Sequence, residues 1–148
     1  NRGRVKPGWI LLARSGQIYG INGSLTLANE AHEGKVISDH VIRIAPNAAE
    51  RIRTGYVYVA WSHTTLGRAL VKALAYGSSI PEIEVADVEQ LEVVRLDSAI
   101  EGAIADLAEQ GAALLAKADL LENDIAADAE AIIDRFMAGD TREIVVMR

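Results

Sequence analysis

The residues able to do chemistry in this chain of 148 are few, and they are poorly grouped for catalysis. The three histidines, His32, His40 and His63, are the natural starting point for acid–base work. Asp39 and His40 are neighbours; on a strand they point to opposite faces, which rules out an acid–base pair. Ser15 stands in Arg-Ser-Gly, without the Gly-x-Ser-x-Gly turn that exposes a hydrolase nucleophile. There is no His-x-x-x-His, no phosphate-cradling Gly-x-x-x-x-Gly-Lys-Ser/Thr and no Gly-x-Gly-x-x-Gly. Glu30 and Glu33 flank His32 in an expected loop, the nearest approach to a metal-ligand set. The absence of cysteine excludes disulfides and thiolate metal sites. No cofactor, metal or catalysis is therefore expected, and a hydrolase using Ser15 with His40 or His63 lacks an activated-nucleophile pattern.

Recognition is better served. Arg14-Ser15-Gly16-Gln17 follows the apolar run Trp9–Ala13, so a buried strand surfaces into a turn carrying Arg and Gln. These two side chains can bond bidentately to guanine and adenine edges. Tyr19 and Asn22 extend that surface, and Ser38 and His40 share one side of a later strand. Arg68 and Lys72, one helical turn apart, suit phosphate contact. The charge distribution agrees. Up to Pro81 ten Lys/Arg face four Asp/Glu, a net +6; from Glu82 onward five face seventeen, a net −12. A basic first part suits a polyanion, which the acidic remainder would repel.

The elements that hold these residues follow from local pattern. Pro7-Gly8 is a turn, and Ile18–Asn22 and Ser24–Ala28 read as strands around Asn22-Gly23. Lys35–Ile44 is rich in β-formers and Leu91–Leu96 reads as a last strand. Thr54 caps a short helix through Trp61. Leu66, Ala69, Leu70, Ala73 and Leu74 form an amphipathic stripe expected to face the core, with Arg68, Lys72 and Tyr76 opposite. Gly77–Ile83 is an extended strap, because Pro81 biases Ile80 away from helix. The expectation is α+β: a small, curled, mostly antiparallel sheet with short helices.

A long helix follows. Ser98-Ala-Ile-Glu101 matches a capping box, and no proline interrupts the chain to Met137. About 40 residues give a rod of roughly 60 Å, with Gly139 as its C-terminal cap. Ile100, Ile104, Leu107, Gly111, Leu114, Ala118, Leu121 and Ile125 alternate steps of four and three, a coiled-coil seam. Gly111 and Ala118 let a second helix approach closely, and Ile132 and Phe136 resume the seam after a slip at Asp128. So small a core cannot cover such a helix. The expected division is residues 1–97 as a head, 98–138 as the helix and 139–148 as a tail. The chain opens on Asn1 with a strand close behind, which suggests a fragment of a longer protein. No apolar run approaches the roughly 20 residues of a membrane span and no signal-peptide pattern is present, so a cytoplasmic location is expected.

The order of "GWILLARSGQIYG", "VISDHVIRIAP", "GYVYVAWSHTTLGRALV" and "YGSSIPEIEVADVEQLEVVRL" before the helix resembles the target-recognition domain of type I restriction–modification specificity subunits. The likeness spans residues 3–137. It implies a non-catalytic module that reads double-stranded DNA, with Ser78 and Ser79 of the strap joining the contact set. It also implies a spacer helix that pairs antiparallel with a second half or a second copy and helps bind the DNA methyltransferase subunits. Two departures stand out: Val94-Arg95-Leu96-Asp97 replaces the family's proline-rich strand end, and the family's N-terminal strands are missing. The competing class is a coiled-coil interaction module that does not bind DNA.

Overall fold

In the computed structural model, residues 3–17, 19–47, 49, 51–77, 79–140 and 142 are described. Three strands, Ile10–Ala13 (β1), Leu25–Leu27 (β2) and Val41–Ile44 (β3), form one antiparallel sheet in the order β2-β1-β3. The most continuously apolar strand takes the centre, where it is shielded by a neighbour on each edge. Ile10 lies opposite Leu27 and Ile44, and Leu12 opposite Leu25 and Ile42. Ile10 and Leu12 alternate onto the same face and are fully buried there.

Helices Thr54–Ser62 (α1), Thr65–Ala73 (α2), Val85–Glu89 (α3) and Ser98–Met137 (α4) complete an α+β architecture, with a 3-10 turn at Glu30–His32. Helix α1 packs against both β2 and α4. Its crossing with α4 is close because Gly55 has no side chain: a Cβ there would stand 2.9 Å from the Ala105 carbonyl oxygen. Helix α4 answers with small residues, burying Ala105, Ala112 and Ala116. Ala112 belongs to the same core as Ile10, Leu12, Val57 and Trp61. Arg53, just before α1, adds ion pairs to Asp106 and Glu109, both at 2.6 Å. Asn29 is buried and donates to the Ala112 carbonyl at 2.8 Å, fastening the end of β2 to α4. Beyond Ala116 the head ends. From Lys117 to Met137 every residue of α4 is exposed, a bare rod of roughly 30 Å.

Several local expectations give way to longer-range contacts. Residues 19–23 form a turn rather than a strand, with Gly20 N–H on the Gln17 carbonyl and Ser24 N–H on the Ile21 carbonyl; Ile18 lies outside the described residues. The Lys35–Ile44 strand shrinks to Val41–Ile44 plus an isolated bridge from Val36 to Arg4. Leu91–Leu96 forms no strand. Two of its carbonyls are taken by side chains of α1, with Trp61 Nε1 donating to Glu92 and the Tyr56 hydroxyl to Val94. On α2 the inward residues are Gly67 and Val71, while Leu66 and Leu70 of the expected core stripe are exposed. Gly67 decides this rotation, since any Cβ there would collide with the Ala60 carbonyl. Helix α3 is an addition that no periodicity announced.

The long helix keeps its expected bounds with its cap moved by one residue. Asp97, not Ser98, accepts from the Ala99 N–H at 2.9 Å. Glu101 reaches back to the Leu96 N–H at 2.8 Å and is gripped by Arg95 through two bonds of 2.9 Å. The other end closes on Gly139 at φ +94°: Gly139 N–H bonds the Phe136 carbonyl and Asp140 N–H the Arg135 carbonyl, a Schellman closure. Likewise Arg53, not Thr54, precedes α1, and the Thr54 hydroxyl donates to Gly8. Of the tail, Thr141 and residues 143–148 lie outside the described residues.

Candidate functional site

Three segments far apart in sequence meet at the C-terminal end of β1. Arg14 N–H bonds the His40 carbonyl at 2.8 Å, and the Arg14 carbonyl accepts from Ile83 N–H at 2.9 Å. The loop after β1 is thereby fixed between the 38–40 turn and the Gly77–Ile83 strap. Ser15 Oγ lies 2.6 Å from His40 Nδ1, joining two side chains 25 positions apart on an exposed rim. Gln17, Ser38 and His40 are exposed around this contact, and Tyr19 projects from the adjoining turn fully into solvent. Ser79 is exposed on the strap, while Ser78 lies outside the described residues.

Two expected members of the surface have other duties. Asn22 is 1% exposed and cannot face a ligand. Its Nδ2 donates to the carbonyls of Pro81 at 2.7 Å, Arg14 at 3.3 Å and Gly16 at 3.5 Å, so it knots the loop to the strap from below. Arg14 is paired rather than outstretched: its Nη2 stands 3.0 Å from Glu84 and 3.3 Å from Glu82. The Glu84 hydrogen bond is the main cause of a guanidinium pKa above its ordinary value, with the charges of Glu84 and Glu82 adding to it. Glu82, Glu84 and the Pro81 carbonyl were not singled out in the sequence. Their alternation with apolar Ile83 was the available sign that one face of the strap is polar.

Asp39 and His40 also depart from expectation. They occupy a turn, where strand alternation does not apply, and His40 Nε2 comes within 4.0 Å of Asp39 Oδ1. Serine, histidine and aspartate are thus in line, but the pair is open to water. The Asp39 contact lies beyond hydrogen-bond length. The arrangement suits a hydrogen-bonding rim that offers both donors and acceptors. Among the described residues no group of His, Cys, Asp or Glu is placed to hold a metal ion, the Glu30–His32–Glu33 set included. His32 instead closes its own turn, with Nδ1 2.6 Å from Asn29 Oδ1.

The cationic residues lie to one side. Arg68 is exposed on α2; Lys72 is half-buried, its stem passing beside the Gly23 turn, where a Cβ would stand 3.5 Å from Lys72 Cγ. No family model matches this chain, and no curated protein matches it. The site must be read from its own atoms.

The second surface is the seam of α4. Helix α1 takes the Ala105–Ala112–Ala116 face, and the seam lies about 150° around the helix from it. Ile100, Leu107, Leu114, Leu121 and Ile125 all stand exposed there, Leu107 at 69%. Ile104 and Gly111 are half-buried and Ala118 is exposed. Where the seam passes the head, a groove of about 680 Å³ opens between α4 and the head, with Gly111 and Leu107 on one wall and Val59 and His63 on the other. Among the described residues no helix is long and apolar enough to cross a membrane.

Proposed function

We propose that this chain reads double-stranded DNA sequence-specifically as part of the specificity subunit of a type I restriction–modification methyltransferase complex. The observation that carries this is the convergence of the Arg14–Gln17 loop, the Ser38–His40 turn and the 77–83 strap on one exposed rim. Base edges are read by polar side chains held at fixed positions, and a loop rooted in a buried strand meets that need. Ser15, Gln17, Ser38 and His40 would read. Arg68 and Lys72 would contact phosphate, and Arg14 would hold the loop through Glu82 and Glu84. The chain would have no chemistry of its own. Helix α4 would pair with a second copy or a second half through its exposed seam and offer its outer faces to methyltransferase subunits.

A second function, protein interaction through α4 without DNA, is favoured by one observation: the rim also carries Asp39, Glu82 and Glu84. Titration of a random duplex pool at several salt concentrations separates the two. A DNA reader shows a log–log salt dependence and, after selection, enriches a defined site. On that site Gln17→Ala should lose about 1–3 kcal/mol of discrimination at one or two base pairs. Lys72→Ala should weaken all sequences alike and reduce the salt slope by about one. Binding that is absent at every salt concentration would leave only the interaction role.

A further inference from the structure

The α4 seam continues past Ile125 to Ile132 and Phe136, on the same side of the helix as a second, apolar pocket at its opposite end. That pocket, of about 260 Å³, is walled by Trp61, Leu66, Leu70, Val94, Leu96 and Ile104. It shares Val59 with the larger groove beside Gly111, so the two form one trough along the seam. We propose that a second copy of this chain lies antiparallel in this trough and seats its Phe136 ring in the pocket. This rests on the pairing of α4 described above and goes beyond it by assigning a docking site on the head.

Three observations support the assignment. The first is length. The midpoint of Ser98–Met137 falls beside Ala118, a small seam residue, so full antiparallel overlap puts the closest approach at the two-fold axis. The second is volume. In that register Gly111 meets Ile125 and Leu107 meets Ala129, small against large, while Ile104 meets Ile132 and Ile100 meets Phe136 at the ends beside the head pocket. A parallel pair would instead set Gly111 on Gly111 and leave both pockets empty. The third is charge. The bare half, 117–137, carries six acids against Lys117 and Arg135. In the head-proximal half Glu101 is already paired with Arg95, and Asp106 and Glu109 with Arg53. Antiparallel pairing sets each acidic half beside a neutralised one, whereas parallel pairing would set the two acidic halves side by side.

The chain has no cysteine, which makes directed cross-linking clean. A Phe136→Cys variant is mixed with a Leu66→Cys or a Val94→Cys variant, oxidised mildly, and compared with each variant alone. The cross-linked dimer should form in the mixtures and not in the single samples. By sedimentation equilibrium Phe136→Ala should dimerise about thirtyfold more weakly, with Phe136→Leu restoring most of the loss. Phe136 is 40% exposed on a lone helix, so its truncation leaves the fold standing, which circular dichroism checks. A dimer that neither cross-links in the mixtures nor weakens on Phe136→Ala overturns the pocket assignment while leaving helix pairing intact. A chain monomeric at every concentration overturns both the pocket assignment and the pairing with a second copy.

Discussion

At the scale of single residues, the rim is organised by an atom that never reaches the surface. Asn22 Nδ2 serves three carbonyls, those of Arg14 and Gly16 on the loop and of Pro81 on the strap. Its Oδ1 has no partner among the described residues, so Nδ2 carries all of its polar satisfaction. Asn22→Ala strands the Pro81 carbonyl and should cost about 1–3 kcal/mol in urea unfolding. If the rim reads bases, the same change should also blur site preference, because Ser15 and Gln17 then lose their fixed reach. A variant as stable as the parent would mean that water replaces the amide without loss.

At the scale of elements, the start of α4 depends on Glu101. The Arg95 hydrogen bonds first, and the Leu96 N–H second, hold its carboxyl below the ordinary carboxylate pKa. A depressed folded-state pKa gives stability that is fully present above the unfolded value. It is lost as pH falls through the folded one. Thermal melts should therefore show stability declining below about pH 4.5. Glu101→Gln should be less stable at neutral pH and flatter through that acid window. An unchanged acid slope would remove Glu101 from the account. The helix itself was legible in the sequence because alanine content, proline absence and a 4-3 repeat are local properties. The side from which Gly67 packs and the fate of Leu91–Leu96 were not. Both were settled by neighbours distant in sequence, the Ala60 carbonyl in one case and the Tyr56 and Trp61 side chains in the other.

At the scale of the whole molecule, a head whose core takes in Ala112 of α4 holds the first half of a rod whose second half stands bare. The exposed seam is the feature most in need of a partner, since contiguous apolar surface on this scale marks an interface. Replacing Leu114 and Leu121 by Asp should yield a soluble monomer with an unchanged melting profile for the head, as followed by sedimentation and by the fluorescence of Trp9 and Trp61. If the parent chain is itself monomeric under the same conditions, the seam does not pair with a second copy.

The sequence by itself determined those features that arise within a few residues of one another: the central apolar strand, the 40-residue helix and its seam, the glycine closure at its end, and the division of charge. It also marked Ser15 and Gln17 as polar residues where a strand surfaces into a turn, and Ser38 and His40 as polar residues sharing one side of a later strand. Only the tertiary structure decided which of them meet. Asp39 and His40 read as strand residues until the 38–40 turn placed them, and Asn22 read as surface until the strap covered it. Arg14 read as a free cation until Glu82 and Glu84 were brought to it across about 70 positions. The physical reason is the same throughout. Periodicity and capping are short-range and are written in adjacent residues, whereas burial and charge pairing depend on which distant segment the fold delivers.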